Sequence, residues 1–205
     1  MKNKKEQITE EILDAASRRF GHYGYSKTTM AEIASDCSMS AANLYRYFRD
    51  KSAIGTGIAR RCFKKELQLL NEVAARTDIT QEEKLGEVVL TSIRYNFTEF
   101  EDTPRIMELV EHICADGQEL IEEHRNGAVG VVVKILQEGV ATGEFEIENI
   151  EETAVAIRVA TLVFHAAPLF LMFKNFCHTQ DEMEAMAEKV TRLLIKGIAR
   201  KQKKA

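Results

Sequence analysis

The sequence is poor in residues that favour β-structure, disulfide bonding or disorder. Its 205 residues include two prolines, four cysteines and no tryptophan. Cys37, Cys62, Cys114 and Cys177 form no C-x-x-C pair, so we expect buried small apolar side chains rather than a redox or metal site. Few stretches alternate polar and β-branched residues, whereas Ala, Glu, Leu and Lys are frequent. The composition therefore predicts an all-α protein, and its 45% hydrophobic content is enough for a sizeable core.

Sequence motifs of enzymes are missing as well. The chain has no Gly-rich phosphate loop, no H-E-x-x-H sequence and no nucleophile elbow. Its five histidines, at positions 22, 112, 124, 165 and 178, are scattered along the chain rather than grouped with carboxylates. We therefore expect neither catalysis nor a cofactor.

Targeting and membrane signals also have little support. The amino terminus is basic but lacks the apolar core of a signal peptide, which favours a cytoplasmic location. Residues 154–176 are almost continuously apolar and could be taken for a membrane span. Arg158, His165 and Pro168 interrupt that stretch and no basic flank marks an orientation, so a buried helical segment is the better interpretation.

Charge is segregated along the chain. Residues 1–65 contain 13 basic and 7 acidic side chains, whereas the remainder contains 15 basic and 25 acidic ones. A basic amino-terminal third is what a phosphate-binding surface needs, and an acidic remainder would be repelled from DNA. The alternative is a solvated helical face that is merely basic.

Residues 29–48 have the pattern of a helix-turn-helix. Thr29 and Glu32 form a T-x-x-E capping box at the start of a short helix that ends at Asp36. The tripeptide 37–39 has the length of a helix-turn-helix corner, and Ser40 can cap a second helix. The run Ser-Ala-Ala-Asn-Leu-Tyr-Arg-Tyr-Phe at 40–48 then predicts a DNA recognition helix.

This amino-terminal layout resembles the tetracycline-repressor (TetR) family of transcriptional regulators. The resemblance is carried by Ile-Leu-Asp-Ala-Ala near the start, Gly-Tyr at 24–25, Thr-Thr-Met-Ala-Glu-Ile-Ala, Leu-Tyr-Arg-Tyr-Phe and Lys51, and weakly by residues 139–145. Ser38 stands where the family usually has Gly in the corner, at a cost of about 1 kcal/mol if that corner needs positive φ. Ala41-Ala42 replaces the Lys-Gly of many relatives.

The candidate DNA-binding residues fall into two groups. The first turn of the recognition helix contains Ser40, Ala41, Ala42 and Asn43, and we expect it to face base edges. The methyl groups of Ala41 and Ala42 can pack on thymine methyls, and the amide of Asn43 can bond a base edge or a phosphate. The resemblance implies contacts to the phosphate backbone of DNA by Thr29, Tyr45, Arg46, Tyr47 and Lys51. Aromatic packing is the alternative role for the two tyrosines.

Helical periodicity continues to the end of the chain and predicts about nine helices in two domains. Residues 1–49 are assigned to a three-helix DNA-binding domain, and residues 50–205 to a helical ligand-binding and dimerisation domain. Thr80 with Glu83 and Thr179 with Glu182 form further capping boxes, while Asp50, Pro104 and Asn149 mark other helix starts. No flexible linker separates the domains.

The second domain is expected to form a homodimer and to bind a small molecule. A single helix-turn-helix contacts little DNA, so a twofold dimer on a near-palindromic operator is expected, with the carboxy-terminal helices as its interface. The resemblance implies a ligand cavity and repression that the ligand relieves. Candidate lining residues, each of which could equally be ordinary core, are Phe63, Ser92, Tyr95, Met107, Val110, His112, Phe164 and His165.

Two alternatives stay open at this stage. Gly55 and Gly57 in the fourth helix could soften it as a hinge, or could allow close packing against the first helix. The whole chain could also be a helical ligand-binding or interaction protein that never meets DNA.

Overall fold

The computed structural model describes residues 4–100, 103, 105–177 and 179–199, and it is all-α as predicted. In these residues it has ten α-helices and one 3-10 helix at Leu162–Phe164. The α-helices are α1 (Lys4–Tyr23), α2 (Met30–Asp36), α3 (Ala41–Leu44), α4 (Lys51–Ala74), α5 (Gln81–Phe100), α6 (Ile106–Asp116), α7 (Gln118–Thr142), α8 (Ile150–Ala160), α9 (Ala167–Phe173) and α10 (Gln180–Ile198).

Polar caps begin most of these helices where the sequence places them. The capping boxes of Thr29 and Thr179 are complete, with side-chain and backbone hydrogen bonds in both directions. Thr80 and Glu83 make the same reciprocal bonds before α5. Asp50 Oδ1 accepts from Ala53 N at 2.7 Å, and Asn149 caps α8. These predicted helix starts are confirmed, because each cap satisfies backbone donors that have no partner within the helix.

The first compact unit combines the amino terminus with a later segment. It comprises Met1–Lys64 and Glu99–Ile121. The spacing of four between Ile8, Ile12, Ala16 and Phe20 predicts an apolar stripe on α1. In the structure Ile12, Ala16 and Phe20 are fully inaccessible. The core also takes in residues of α2, α3, the first half of α4 and α6, namely Ile33, Ala34, Leu44, Ile54, Ile58, Leu109 and Ile113.

The second compact unit comprises Lys65–Thr98 and Glu122–Ala205. Its core is built by the end of α4 with α5, α7 and α8, and includes Leu70, Val88, Val132, Ile135, Leu136, Phe145 and Ala154. The 49/50 domain boundary stays a prediction, and the packing itself divides the chain within α4, α5 and α7.

The carboxy-terminal apolar stretch is more broken than its composition suggests. Residues 154–176 run through α8, the 3-10 helix and α9 instead of one long helix. Thr161 ends α8 by donating from its hydroxyl to Ile157 O at 2.8 Å, and Pro168 lies in the first turn of α9. Among the described residues no helix is both long and apolar enough to cross a bilayer. The predicted helix start at Pro104 lies outside the described residues, and α6 begins at Ile106.

Candidate DNA interface and buried polar cluster

The corner between α2 and α3 contains one residue in the left-handed backbone conformation. Ser38 adopts φ of 53°, the only positive φ outside glycine among the described residues. Ser38 N donates to Ser35 O and Met39 N donates to Ala34 O, at 3.0 and 2.9 Å, and these bonds close the turn. A side chain in this left-handed conformation costs about 1 kcal/mol relative to Gly. The cost that the sequence predicted for Ser38 therefore applies.

The recognition segment is a short α-helix followed by further helical turn. Ser40 Oγ accepts from Asn43 N at 3.2 Å, so Ser40 is the N-cap as predicted. Regular α-helix extends only from Ala41 to Leu44. Beyond it, Tyr45 N still donates to Ala41 O and Phe48 N to Leu44 O, at 3.0 and 3.1 Å. The segment thus remains helical in path through Phe48, although mixed i−3 and i−4 bonding shortens its regular part.

One face of this segment holds it to the core and the other is open. Leu44 is completely buried, whereas Tyr45 is 52% exposed and the side chain of Arg49 is 86% exposed. Ala42 and Arg46 are exposed too, so residues 42, 45, 46 and 49 form an outward stripe at helical spacing. Ala41, Asn43 and Tyr47 are half-buried. Arg49 is not among the DNA-binding residues predicted from the sequence, although its spacing of three from Arg46 could have revealed it.

Ion pairs fix the supporting helices beneath this stripe. Arg19 on α1 binds the carboxylate of Asp36 on α2 through two nitrogens and lies 3.5 Å from Glu32. The hydrogen bond from Arg19 lowers the pKa of Asp36. Arg61 on α4 contacts Glu10 and Asp14 of α1 at 3.2 and 2.6 Å. Arg19 and Arg61 are therefore engaged in ion pairs between helices. Arg46, in contrast, makes no ion pair with any described residue.

Two predicted phosphate ligands already have partners within the protein. Lys51 Nζ lies within hydrogen-bonding distance of the carbonyl oxygens of Tyr25, Ser26 and Thr28, at 2.6, 3.4 and 2.9 Å. Burial lowers the pKa of Lys51. The hydroxyl of Thr29 is engaged with Glu32 in the capping box. Contacts from either side chain to DNA stay predictions, and the structure gives both a role in holding the turn before α2.

Helix α6 is tied to the same turn. His112 Nε2 lies 3.0 Å from both the Tyr25 hydroxyl and the Ser52 hydroxyl, and its ring stacks on Tyr25 with centroids 4.5 Å apart. Glu108 accepts from Ser26 N at 2.9 Å. His112 was a candidate cavity residue, but here it packs within the first unit beside the DNA-binding segment.

The predicted cavity residues divide between the two units. Phe63, Met107, Val110 and His112 belong to the first unit, and Ser92, Tyr95, Phe164 and His165 belong to the second. In the second unit, Ser92 and His165 take part in a buried group of polar side chains that includes three residues absent from the prediction. We call this group the polar cluster; its members are Glu66, Ser92, His124, Arg158 and His165.

Glu66 is the acceptor at the centre of the polar cluster. It is 3% exposed, and its two oxygens accept from Ser92 Oγ at 2.7 Å and from His124 Nε2 at 3.1 Å. A carboxylate only accepts, so this nitrogen of His124 carries the proton. Burial by itself raises the pKa of Glu66, but the bonds and charge of His124 and the Ser92 bond outweigh it, and the pKa is lowered.

Arg158 brings a buried cationic side chain to the polar cluster. It is 6% exposed, and its buried Nη1 has no hydrogen-bond partner among the described residues. His165 Nε2 donates to the Arg158 carbonyl at 3.0 Å, while Asn96 Nδ2 donates to the His165 carbonyl at 3.3 Å. Burial, with the nearby Arg158 charge, lowers the pKa of His165 to about 4, so this imidazole is neutral at pH 7. The signal for this polar cluster in the sequence was Arg158, a charged residue within the apolar stretch 154–176.

The two glycines of α4 lie at close contacts. A Cβ on Gly57 would lie 2.9 Å from Leu13 Cδ2 of α1 and 3.3 Å from Phe48. A Cβ on Gly55 would lie 3.0 Å from Leu109 Cδ1 of α6. Tight packing therefore accounts for both glycines, and the hinge stays an untested hypothesis.

Comparison with known proteins adds two family matches. Residues 12–54 match the model of bacterial regulatory proteins of the tetR family, and residues 81–191 match the tetracyclin repressor-like C-terminal domain. The second match alone covers more than half of the chain. The HTH-type transcriptional repressor Rv1474c of Mycobacterium tuberculosis is 40% identical over 50 residues, which are 24% of this chain and 27% of that protein. The aligned part thus spans about a quarter of that relative.

Solved structures share the fold over almost the whole chain. A transcriptional regulator from Cytophaga hutchinsonii has a TM-score of 0.73 at 24% identity, covering 93% of this chain and 98% of that one. The regulator FadR from Bacillus subtilis, solved in complex with stearoyl-CoA, has a TM-score of 0.69 at 19% identity, with coverage of 92% and 98%. These similarities concern the fold alone.

Proposed function

We propose, from the premise that this chain belongs to the tetR family of bacterial regulatory proteins, that it is a homodimeric repressor released from DNA by a small molecule. Family membership makes it a transcriptional regulator with a helix-turn-helix and a helical ligand-binding domain. Repression is supported by the repressor Rv1474c, and a small-molecule effector by the stearoyl-CoA complex of FadR. A cytoplasmic location goes with this function.

The outward stripe of the recognition segment is the observation that carries the proposal. Leu44 holds the segment to the core, while the small Ala42 lets the backbone approach the floor of a major groove. Tyr45 and Arg46 extend from the same face and are placed to contact phosphates, and Arg49 adds a cation at its end. Asn43 and Ser40 lie at the first turn, where base edges are read.

Lys51 and Thr29 are assigned a supporting role in this interface. Lys51 holds the turn before α2 through three backbone carbonyls, and Thr29 caps α2. These contacts set the angle at which α2 leaves the turn, and α2 in turn packs on α3. We propose that both residues act on DNA affinity mainly through this geometry.

The carboxy-terminal helices supply the proposed dimer interface. Exposed apolar side chains lie on α8 and directly after it, where Val155 is 48%, Val159 64% and Leu162 39% exposed. On α10, Met186 and Leu193 are 41% and 70% exposed and stand seven residues apart, on one face of the helix. Isolated exposed apolar residues are common, but two such helical stripes in one unit are typical of an association surface.

Helix α4 offers a path from effector to DNA. It begins with Lys51, which holds the turn before α2, and further along contains Glu66, the acceptor of the polar cluster. A ligand that shifts α4 therefore changes the support of the recognition segment. Coupling of this kind requires the ligand to bind the two arrangements with different affinity.

Selection of bound fragments from random duplex DNA tests the proposal. We expect an enriched near-palindromic site, because a twofold dimer presents two identical recognition segments. On that site, Arg46→Ala should weaken binding at all sequences and reduce the slope of log affinity against log salt by about one unit. The matched control is Arg125→Ala, an exposed arginine of the second unit that pairs with Glu122.

Three results would contradict the DNA-binding assignment. One is the absence of any enriched sequence, and another is an unchanged salt slope for Arg46→Ala. The third is full affinity of Ala42→Leu, because this exposed position tolerates a larger side chain in the fold but not against the floor of a groove.

A further inference from the structure

The polar cluster contains a hydrogen-bond donor for which the described residues supply no acceptor. Glu66 is the natural partner of Arg158, and its charge does act on the guanidinium. Both of its oxygens, however, already accept from Ser92 and His124. Arg158 Nη1 is left buried without an acceptor. Proteins rarely leave a buried cationic donor in this condition, because desolvating it is costly unless an acceptor replaces water.

The neighbouring groups form their hydrogen bonds elsewhere and none accepts from Arg158 Nη1. His165 directs Nε2 towards the Arg158 carbonyl, and the depressed pKa of this imidazole keeps it uncharged. Ser92 gives its proton to Glu66. The hydroxyl of Thr161 is fully buried and donates to the carbonyl of Ile157. The guanidinium therefore has an N–H group that no described residue accepts from.

We propose that Arg158 binds the carboxylate of an anionic effector whose remaining body is apolar. A guanidinium presents two parallel N–H groups that match the two oxygens of a carboxylate, which makes a monocarboxylate the best-fitting head group. The apolar body follows from the surroundings, since Ile157 and Phe164 beside the polar cluster in sequence are buried and apolar. A cationic ligand would meet Arg158 with like charge and is disfavoured.

This site also connects the elements that an effector has to move. Glu66 lies on α4, Ser92 on α5, His124 on α7 and Arg158 on α8. An anion on Arg158 competes with Glu66 for the same guanidinium, so its arrival weakens the attraction of α8 for α4. The inference thus rests on the proposed function for its consequence, the release of DNA, while binding itself can be measured without DNA.

Calorimetric titration of the full-length protein with octanoate, decanoate and phenylacetate tests the assignment. We expect at least one of these monocarboxylates to bind. The uncharged amide and the amine with the same hydrocarbon group should each bind at least tenfold more weakly. Arg158→Met keeps the length of the side chain and removes the charge, and should lower carboxylate affinity by roughly tenfold or more. Arg158→Lys should recover only part of that loss, because an ammonium group restores the charge but not the two parallel N–H donors of a guanidinium.

The matched control is Arg125→Met, the same substitution at an exposed arginine of α7 in the same unit. It should leave carboxylate affinity unchanged. Circular dichroism and the melting temperature of each variant establish that it is folded.

The inference is overturned if no carboxylate of the panel binds, if acid and amide bind equally, or if folded Arg158→Met retains full affinity. In each of these cases the selected duplex still binds and the repressor assignment stands. Conversely, carboxylate binding that depends on Arg158 in a protein that selects no duplex upholds the anion site and removes the DNA-binding function.

Discussion

Ser38 stores a small amount of strain at the corner on which the recognition segment depends. Its φ of 53° lies in the left-handed region, where the Cβ of an L-residue crowds the following carbonyl oxygen. The turn nevertheless closes, because the backbone bonds of Ser38 and Met39 to α2 and the burial of Ile33 and Leu44 outweigh the local cost. Local strain of this size is common where surrounding contacts determine the conformation.

Ser38→Gly should therefore raise the free energy of unfolding by about 1 kcal/mol, less the greater chain entropy of glycine in the unfolded state. Ser35→Gly is the matched control, because Ser35 is an exposed helical residue of α2 that should lose about 0.5–1 kcal/mol. Urea denaturation monitored by circular dichroism measures both. Equal destabilisation by the two substitutions would mean that the corner carries no strain in solution.

At the scale of elements, the end of α7 shows why a glycine can be required within a helix. Gly139 accepts at its carbonyl from Glu144 N and Phe145 N, at 2.9 and 3.1 Å, so the chain folds back directly over it. Phe145 is 3% exposed, and its ring would overlap a Cβ at Gly139. Gly130, nine residues earlier in the same helix, has open space at the equivalent position. A side chain would therefore disturb the packing at Gly139 but not at Gly130.

Gly139→Ala should lower the free energy of unfolding by about 1–3 kcal/mol, since the ring of Phe145 has to leave its site. Gly130→Ala should raise it by about 0.5–1 kcal/mol through helix propensity alone. Thermal and urea denaturation of the two variants side by side measure the difference. A stabilised Gly139→Ala would show that Phe145 does not pack on α7 as described.

At the scale of the whole molecule, association is the feature that the surface of the second unit favours. A single helix-turn-helix reads few base pairs, and specific binding by such domains commonly needs two copies. The exposed apolar stripes of α8 and α10 are the surface that we propose for association of two copies about a twofold axis. Burial of α10 on its other side, at Met183, Ala187 and Thr191, keeps that stripe directed outward.

Leu193→Glu should convert the dimer to a monomer at micromolar concentration, because it places a charge where an apolar contact is proposed. Arg192→Glu is the control. It changes the charge by two units but lies about 100° around the helix from Leu193. Sedimentation equilibrium measures the mass of each form. A monomeric starting protein, or a Leu193→Glu variant that stays dimeric, would place the interface elsewhere.

Local signals in the sequence were enough to place most helix starts and the helix-turn-helix. Capping residues such as Thr29, Asp50 and Asn149 act within three residues of themselves, so their effect can be read without the rest of the chain. The four-residue repeat of Ile12, Ala16 and Phe20 likewise predicted which face of α1 is buried.

Only the tertiary structure decided which distant side chains meet. Lys51 reaches three carbonyl oxygens of the turn before α2, and α6 packs with the amino-terminal helices, although neither contact leaves a periodic trace. Glu66, His124 and Arg158 come from three helices and are conspicuous only once brought together inside the second unit. Local hydrogen bonding and helical periodicity are properties of short segments, whereas burial and electrostatic partnership depend on how the segments pack.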